Sequence, residues 1–165
     1  MKIVSWNCNG CFRKKIDIIL RYQADVYVIQ ECENPEKYEK VLKNKLKTWF
    51  WCGHNSNKGL LIFTNLDIQI VNNHWDNYGL QYFLSVNIEN SFDLIGVWTK
   101  GSHIEEYYVY HQIHHALYSN NTIIIGDFNS NVIWDKKHGV RNHSAVVSQL
   151  EWLSYSDHIP LILNV

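Results

Sequence analysis

The stretch Asn121-Thr122-Ile123-Ile124-Ile125-Gly126-Asp127-Phe128-Asn129-Ser130 decides the architecture of this chain. Its apolar part, Asn121 to Gly126, predicts a strand buried on both faces, as in a sheet that other layers cover. Two polar side chains, Asp127 and Asn129, follow at the point where this strand ends. Polar residues directly after a buried strand are typical of a functional site at the edge of a sheet.

Other strand-like runs carry polar residues in the same way. The polar residues at strand ends are Asn7, Glu31, Asp127 with Asn129, and Asp157 with His158. The first two close the runs Lys2–Asn7 and Asp25–Gln30, and the last pair precedes the run Leu161–Val165. If this last strand runs antiparallel to its neighbours, its beginning lies where the other strands end. Four separate pieces of chain then converge on one site.

Helical and strand-like patterns alternate along the rest of the chain. Helices are predicted at Arg13–Tyr22, Pro35–Leu46 and Tyr107–Tyr118, and from a Ser144 cap to about Leu153. Further strands are predicted at Thr48–Cys52, Leu60–Thr64, Ile68–His74, Gln81–Ile88 and Phe92–Trp98. A strand-rich middle with helices before, between and after the strands predicts an α/β layered sandwich. Since no linker or repeat interrupts the pattern, residues 1–165 are expected to form one domain.

The composition excludes several classes of protein. A net charge of -1 and a pI of about 6.7 argue against a protein that coats nucleic acid non-specifically. No apolar run is long enough to span a membrane. The strand-like start of the chain lacks the layout of a signal peptide. We therefore expect a cytoplasmic monomer whose four cysteines are reduced.

The polar residues at the strand ends fit the chemistry of a hard cation and a phosphate ester. Carboxylate and amide oxygens suit Mg²⁺ or Mn²⁺. Glu31 and Asp157 can hold such a metal, and Asp127 with Asn129 can orient and deprotonate a water molecule. His158 can donate a hydrogen bond to a phosphoryl oxygen. The expected activity is metal-dependent hydrolysis of a phosphoric ester.

Four motifs in the chain resemble those of a known superfamily. They are Ser5-Trp6-Asn7-Cys8-Asn9-Gly10, Gln30-Glu31, Gly126-Asp127-Phe128-Asn129-Ser130 and Ser156-Asp157-His158-Ile159-Pro160-Leu161. Each motif alone is weak, but their order resembles the endonuclease/exonuclease/phosphatase superfamily, which includes exonuclease III and DNase I. The Lys58-Gly59-Leu60-Leu61-Ile62 stretch and Trp134 resemble small bacterial members. The resemblance implies a DNase I-like four-layer α/β/β/α sandwich with two mixed β-sheets.

The resemblance also implies an activity and a role for each site residue. The activity is that of a Mg²⁺-dependent DNA endonuclease or exonuclease that hydrolyses by direct attack of water. Glu31 matches the metal-binding glutamate, and Asp157 the acidic residue near the metal. Asp127 and Asn129 match the pair that orients the nucleophile. His158 matches the histidine on the phosphate, and Asn7 belongs to the surrounding polar network.

One part of the family pattern is missing from this chain. Family members usually continue after the Ser144–Glu151 helix through further strands, one of which carries an aspartate that orients the histidine. Here Glu151 runs almost directly into the last motif. We therefore expect missing elements near the C-terminus, exposed strand edges, and a His158 without its carboxylate partner. Trp98 also stands where many family nucleases carry a tyrosine.

These departures leave two alternatives to a nuclease. One is a truncated, catalytically impaired member that binds metal or nucleic acid, and the other is a phosphatase acting on a substrate that is not a nucleic acid.

Two further patterns have ordinary interpretations. Cys8-Asn9-Gly10-Cys11 has the CxxC spacing but lacks a second pair for zinc, so ordinary thiols are expected. His111, His114 and His115 lie at helical spacing, and a solvated helical face is favoured over a metal site.

Overall fold

The computed structural model describes residues 1–100, 104–149 and 161–165. The helices in these ranges are α1 (Phe12–Leu20), α2 (Glu39–Leu42), α3 (Ile104–His114) and α4 (His143–Gln149). The strands are β1 (Lys2–Asn7), β2 (Val26–Cys32), β3 (Thr48–Asn55), β4 (Lys58–Thr64), β5 (Ile70–Asn72), β6 (Phe83–Ile88), β7 (Phe92–Trp98), β8 (Thr122–Asp127) and β9 (Leu161–Asn164). Short 3₁₀ helices lie at Pro35–Tyr38, His115–Leu117 and Val132–Lys137.

The strands form two mixed sheets. One has five strands in the order β3-β4-β2-β1-β9, and the other has four in the order β5-β6-β7-β8. Each sheet contains one parallel pair, β1 with β2 and β7 with β8, and its other pairs are antiparallel. Strand β9 runs antiparallel to β1, which meets the condition for the four motifs to converge at one edge.

The main core lies between the two sheets. Ile3, Val28 and Ile62 from the five-stranded sheet pack against Val86 and Leu94 from the other. At Gly96 of β7 the sheets come so close that an added Cβ would lie 3.1 Å from the Ile62 side chain and 3.2 Å from that of Val28. The absence of a side chain at this position therefore allows the close approach of the two sheets.

Helices cover the outer face of each sheet. On the five-stranded sheet, the apolar stripe of α1 (Phe12, Ile16, Ile19) is buried. On the four-stranded sheet, Tyr107 and Tyr110 of α3 pack against Phe83. The layers follow the order α/β/β/α, which confirms the predicted four-layer sandwich.

Two predicted elements are shorter than expected because local side-chain contacts compete with the regular structure. The predicted helix Pro35–Leu46 splits into a 3₁₀ turn and the single turn of α2; the Asn34 side chain accepts from the Glu36 N–H and starts the 3₁₀ turn. The predicted strand Ile68–His74 is confined to β5, since the Asn73 side chain bonds to Ser85 and Asp93.

Strand β8 lies at the edge of its sheet in the described part of the chain. Ile123 and Ile124 are only partly buried, whereas Ile125 is 3% exposed. The expectation that all three isoleucines are buried on both faces was therefore wrong for the first two. Val26–Ile29 of β2, which lies inside its sheet, is fully buried as predicted. An edge position at β8 agrees with the expected exposed strand edge.

The first turn of α4 is capped differently from the prediction. The Asn142 side chain, not that of Ser144, accepts from the Ala145 N–H at 2.9 Å. The Ser144 hydroxyl instead donates to Asp135. No helix in the described ranges has the length and apolar character needed to cross a membrane.

The three histidines predicted to lie on a solvated helical face, two in α3 and one in the 3₁₀ helix that follows it, do not form such a face. His114 is 2% exposed and His111 is 8% exposed, while His115 is open to solvent. The two ring nitrogens of His114 each lie 2.9 Å from a backbone carbonyl oxygen, one of Tyr110 and one of Asp76. The prediction was wrong because α3 is also covered by the segment around Asp76, which the helical period does not reveal. His114 thus links α3 to that segment.

Replacing His114 by phenylalanine is expected to lower the free energy of unfolding by about 1–3 kcal/mol, because both polar contacts are lost from a buried site. Urea denaturation measures the change. His115→Phe is the matched control, since His115 is exposed, and it is expected to change stability by less than about 0.5 kcal/mol. Equal effects of the two substitutions would contradict the structural role of His114.

Candidate active site

Three of the predicted site residues meet at one amide nitrogen. Asn7 Nδ2 donates to Asp127 Oδ2 at 2.6 Å and to Glu31 Oε1 at 3.2 Å. Asn7 ends β1 and Glu31 lies in β2, both in the five-stranded sheet, whereas Asp127 ends β8 in the other sheet. The Asn7 side chain therefore joins the two sheets at the edge where these strands end.

Glu31 reaches this position through a bulge in β2. The pairing with β4 shifts between Gln30 and Cys32, and Glu31 has a left-handed backbone with φ 58°. The turn after β1 holds it there, since the Gly10 N–H donates to the Glu31 carbonyl oxygen at 3.0 Å. A bulge re-aims a side chain, and a left-handed glutamate costs about 1–2 kcal/mol. Backbone strain of this kind concentrates at functional sites.

The loop after β8 fixes the orientation of Asp127. Gly126 has φ 155°, and the Asn129 N–H donates to Asp127 Oδ1 at 3.0 Å. The Asn129 side chain turns to the Thr99 carbonyl oxygen at 2.5 Å, and Asn129 has φ 41°. Asn129 thus orients the carboxylate through its backbone, while its side chain ties the loop to the residue after β7.

Lys58 belongs to the site although the sequence assigned it no role. Its ammonium group forms an ion pair with Glu31 Oε2. Lys58 starts β4, and its neighbour Gly59 pairs with Cys32, directly beside the bulge. The sequence did not predict this contact because it does not reveal the register in which β4 of the β3–β4 hairpin pairs with β2. Thr99 was also missed; it is fully buried, and its N–H donates to the Asp127 carbonyl oxygen at 2.9 Å.

The last two predicted residues, Asp157 and His158, lie outside the described residues. Strand β9 nevertheless places Leu161 opposite Ser5 of β1. The beginning of β9 therefore lies at the end of β1 that carries Asn7.

The donor groups of the site fit a hard divalent cation. Within the described ranges, no group of three or more His, Cys, Asp or Glu side chains could enclose a metal. Mg²⁺ does not require such a cage, because it keeps several waters and takes one or two carboxylates with the substrate phosphate. The Glu31 side chain is partly exposed, at 20%, and offers carboxylate oxygens to such an ion.

Cys8 and Trp98 lie near the candidate site but are not suited to the hydrolysis of a phosphoric ester. Burial raises the pKa of the Cys8 thiol to about 12, so Cys8 stays protonated and unreactive near neutral pH. Cys11, the other half of the CxxC pair, is exposed and free. Trp98, opposite Asp127 across β7 and β8, is 2% exposed and packs on Tyr82 with ring centroids 4.5 Å apart. Among the residues that the structure describes, its buried Nε1 has no hydrogen-bond partner.

A comparison with known protein families shows to which family the chain belongs. The sequence pattern of the Endonuclease/Exonuclease/phosphatase family matches residues 4–158. The chain belongs to this family. Its members are metal-dependent phosphoric ester hydrolases, many of them nucleases. No curated protein sequence matches the chain.

Solved structures share the fold of this family member. The endonuclease domain of TRAS1, a telomere-specific non-LTR retrotransposon, has a TM-score of 0.63 at 14% identity, over 91% of this chain and 71% of that domain. An AP endonuclease from Archaeoglobus fulgidus has a TM-score of 0.56 at 17% identity, over 88% of this chain and 65% of that one. A 3′-5′ exonuclease from Neisseria meningitidis has a TM-score of 0.54 at 15% identity, over 79% of this chain.

The family member is short beside these proteins. It spans 58% of the Neisseria exonuclease and 65% of the Archaeoglobus enzyme. At these identities the likeness shows the fold.

Proposed function

We propose that this chain is a Mg²⁺- or Mn²⁺-dependent phosphodiesterase that acts on DNA. The observation that carries the proposal is the Asn7 amide, which brings the carboxylates of Glu31 and Asp127 together from two different sheets. The site lies at the ends of the strands, where ligands bind in α/β folds. The names of two structural neighbours, an exonuclease and an AP endonuclease, support DNA as the substrate.

Asp127 is proposed to take the proton from the attacking water. Its two carboxylate oxygens are held by the Asn7 side chain and the Asn129 N–H, so the carboxylate has a fixed direction before substrate binds. Glu31 would hold the metal together with Asp157, and His158 would contact the phosphate. When bound, the metal neutralises charge on the phosphoryl group.

The alternatives from the sequence remain distinguishable from this proposal. A catalytically impaired member is favoured by the segment missing from the sequence between Glu151 and Asp157 and, within the described residues, by the edge position of β8. A phosphatase on another substrate would share the same carboxylates. The cytoplasmic location and the monomeric state stay predictions.

A cleavage assay separates these functions. The substrates are an abasic-site duplex, single-stranded DNA, a chromogenic phosphodiester and a chromogenic phosphomonoester, each with Mg²⁺ and with EDTA. We expect Mg²⁺-dependent cleavage of DNA and of the phosphodiester. Turnover of the monoester alone would favour the phosphatase, and no turnover of any substrate would favour the impaired member.

Lys58→Met is expected to strengthen Mn²⁺ binding by about two- to fivefold, because a partly exposed ion pair worth up to about 1 kcal/mol no longer competes for Glu31. Binding is measured by the loss of the free Mn²⁺ signal in electron paramagnetic resonance. Lys47→Met is the control, since Lys47 pairs with the exposed Asp67 far along the same strand pair. Unchanged affinity in Lys58→Met would show that Glu31 does not hold the metal.

A further inference from the structure

An exposed apolar surface follows the candidate active site directly. The Trp134 segment, residues 131–141, begins two residues after Asn129 and contains the 3₁₀ helix Val132–Lys137. Four of its apolar side chains are exposed: Val132 by 59%, Ile133 by 73%, Trp134 by 41% and Val140 by 85%. A group of exposed apolar side chains beside a site often marks a surface that binds a ligand or a partner.

The Trp134 segment is anchored at several points. The Asn131 side chain accepts from the Ile133 N–H at 3.1 Å and starts the 3₁₀ helix. The Ser144 hydroxyl donates to Asp135, which joins the segment to α4. His138 Nδ1 lies 3.3 Å from Glu105 Oε1 of α3. The apolar side chains are therefore presented on a fixed support, which reduces the entropy lost on binding.

The charge of the Trp134 segment is positive although the whole chain has a net charge of -1. Lys136, Lys137 and Arg141 are exposed, and within the described ranges none of them forms an ion pair. Asp135 is the one acidic residue between positions 128 and 149. The hydrogen bond from Ser144 lowers the pKa of Asp135 and holds its carboxylate at the start of α4.

Three other cations near the candidate site are already engaged. Lys58 pairs with Glu31, Arg13 pairs with Glu33, and Lys15 donates to the Cys8 carbonyl oxygen at 2.6 Å. The cations of the Trp134 segment are thus available to an anionic partner. An exposed aromatic side chain beside unpaired basic side chains suits a nucleic-acid strand, because a base stacks on the ring and the phosphates meet the cations.

We propose that the Trp134 segment binds the unpaired end of a DNA strand, with a base stacked on Trp134 and phosphates on Lys136, Lys137 and Arg141. This inference rests on the proposed function, because the segment continues from the residues proposed to cut the strand. Unpaired bases are favoured over a duplex because stacking requires a free base face, and bases inside a duplex expose none without costly unstacking. We therefore expect the preferred substrates to be DNA molecules with single-stranded or frayed ends.

Fluorescence anisotropy tests the surface without cleavage. A 5′-fluorescein single strand that cannot pair with itself, and a blunt hairpin whose stem contains that sequence, are titrated with the full chain in EDTA. We expect tighter binding of the single strand, and Trp134→Ala weakens that binding about tenfold, whereas Trp134→Phe keeps it within about twofold. Lys136→Ala/Lys137→Ala lowers the slope of log K against log salt by about 1.4. Lys40→Ala/Lys43→Ala, at exposed positions in α2 and directly after it, leaves the slope unchanged.

The outcomes separate this inference from the proposed function. Single-strand binding that is insensitive to Trp134→Ala, with an unchanged urea midpoint, overturns the stacking role. Equal binding of the blunt hairpin overturns the preference for unpaired ends. Binding to phosphatidylserine vesicles that the same variants abolish assigns the surface to a membrane instead. Phosphodiester turnover without single-strand binding overturns this inference alone, and single-strand binding without any turnover overturns the proposed function alone.

Discussion

Asp127→Asn is expected to lower Mg²⁺-dependent phosphodiester turnover by about 10²–10⁴-fold while the protein stays folded. Both carboxylate oxygens accept hydrogen bonds, from the Asn7 side chain and from the Asn129 N–H. An amide offers one acceptor and would turn its own N–H₂ group toward one of these donors. The substitution therefore removes the proton acceptor and its orientation together. Initial rates on the chromogenic phosphodiester, with and without EDTA, measure the loss.

Asp93→Asn is the matched control for this substitution. Asp93 lies at the start of β7, and its Oδ1 accepts from the side chains of Asn73 and Asn87, each at 3.0 Å. The same exchange of a carboxylate for an amide thus disturbs a similar network at the other end of the sheet. Turnover should stay within about twofold of the unmodified protein, in line with a change remote from the reacting atoms. If Asp127→Asn loses no more activity than this control, Asp127 is not the base.

Gly126→Ala is expected to lower the free energy of unfolding by about 3–5 kcal/mol, the largest loss of stability that we expect. The backbone at Gly126 has φ 155°, and an added Cβ would lie 1.9 Å from the Val97 carbonyl oxygen. Moving either strand aside would break the parallel ladder in which Val97 of β7 and Gly126 of β8 are paired. Urea denaturation followed by circular dichroism gives the change.

Gly139→Ala separates backbone strain from the steric clash. Gly139 also has a positive φ of 57°, but an added Cβ there would meet nothing within 4 Å. Only the strain of about 1–2 kcal/mol should remain. A Gly126→Ala variant that is no less stable than Gly139→Ala would show that β7 and β8 part easily at this point.

Much of the fold was predictable because each layer leaves its own periodic pattern. The run Val26–Ile29 predicted a strand inside a sheet, and α1 showed its buried stripe at helical spacing. The periodic pattern predicted burial wrongly where the burial of a side chain depends on a neighbouring strand or segment. Ile123 and Ile124 look like core residues, yet β8 lies at an edge in the described ranges. His114 looks like a surface residue, yet the segment around Asp76 covers it.

The site was predictable in its location but less so in its contacts. Asn7, Glu31 and Asp127 were expected to converge because each follows a strand, and their hydrogen bonds bring them together. The contact of Lys58 with Glu31 depends on a bulge and on the register of the β4 pairing, which one sequence does not reveal. The Asn129 side chain turns away to Thr99 because its left-handed backbone redirects it. The catalytic and metal-binding roles of all six residues named in the sequence analysis stay predictions.

The hydrogen bonds of the Asn7 amide make the geometry of the candidate site depend on the spacing between the two sheets. The amide spans the gap between two sheets whose spacing is also set by apolar packing, with a close approach of the sheets at Gly96. A change of a few tenths of an ångström in that spacing would lengthen the 2.6 Å bond to Asp127 before it disturbed any strand. We therefore expect that substitutions in the core between the sheets, far from the reacting atoms, alter the rate of the proposed hydrolysis without altering the fold.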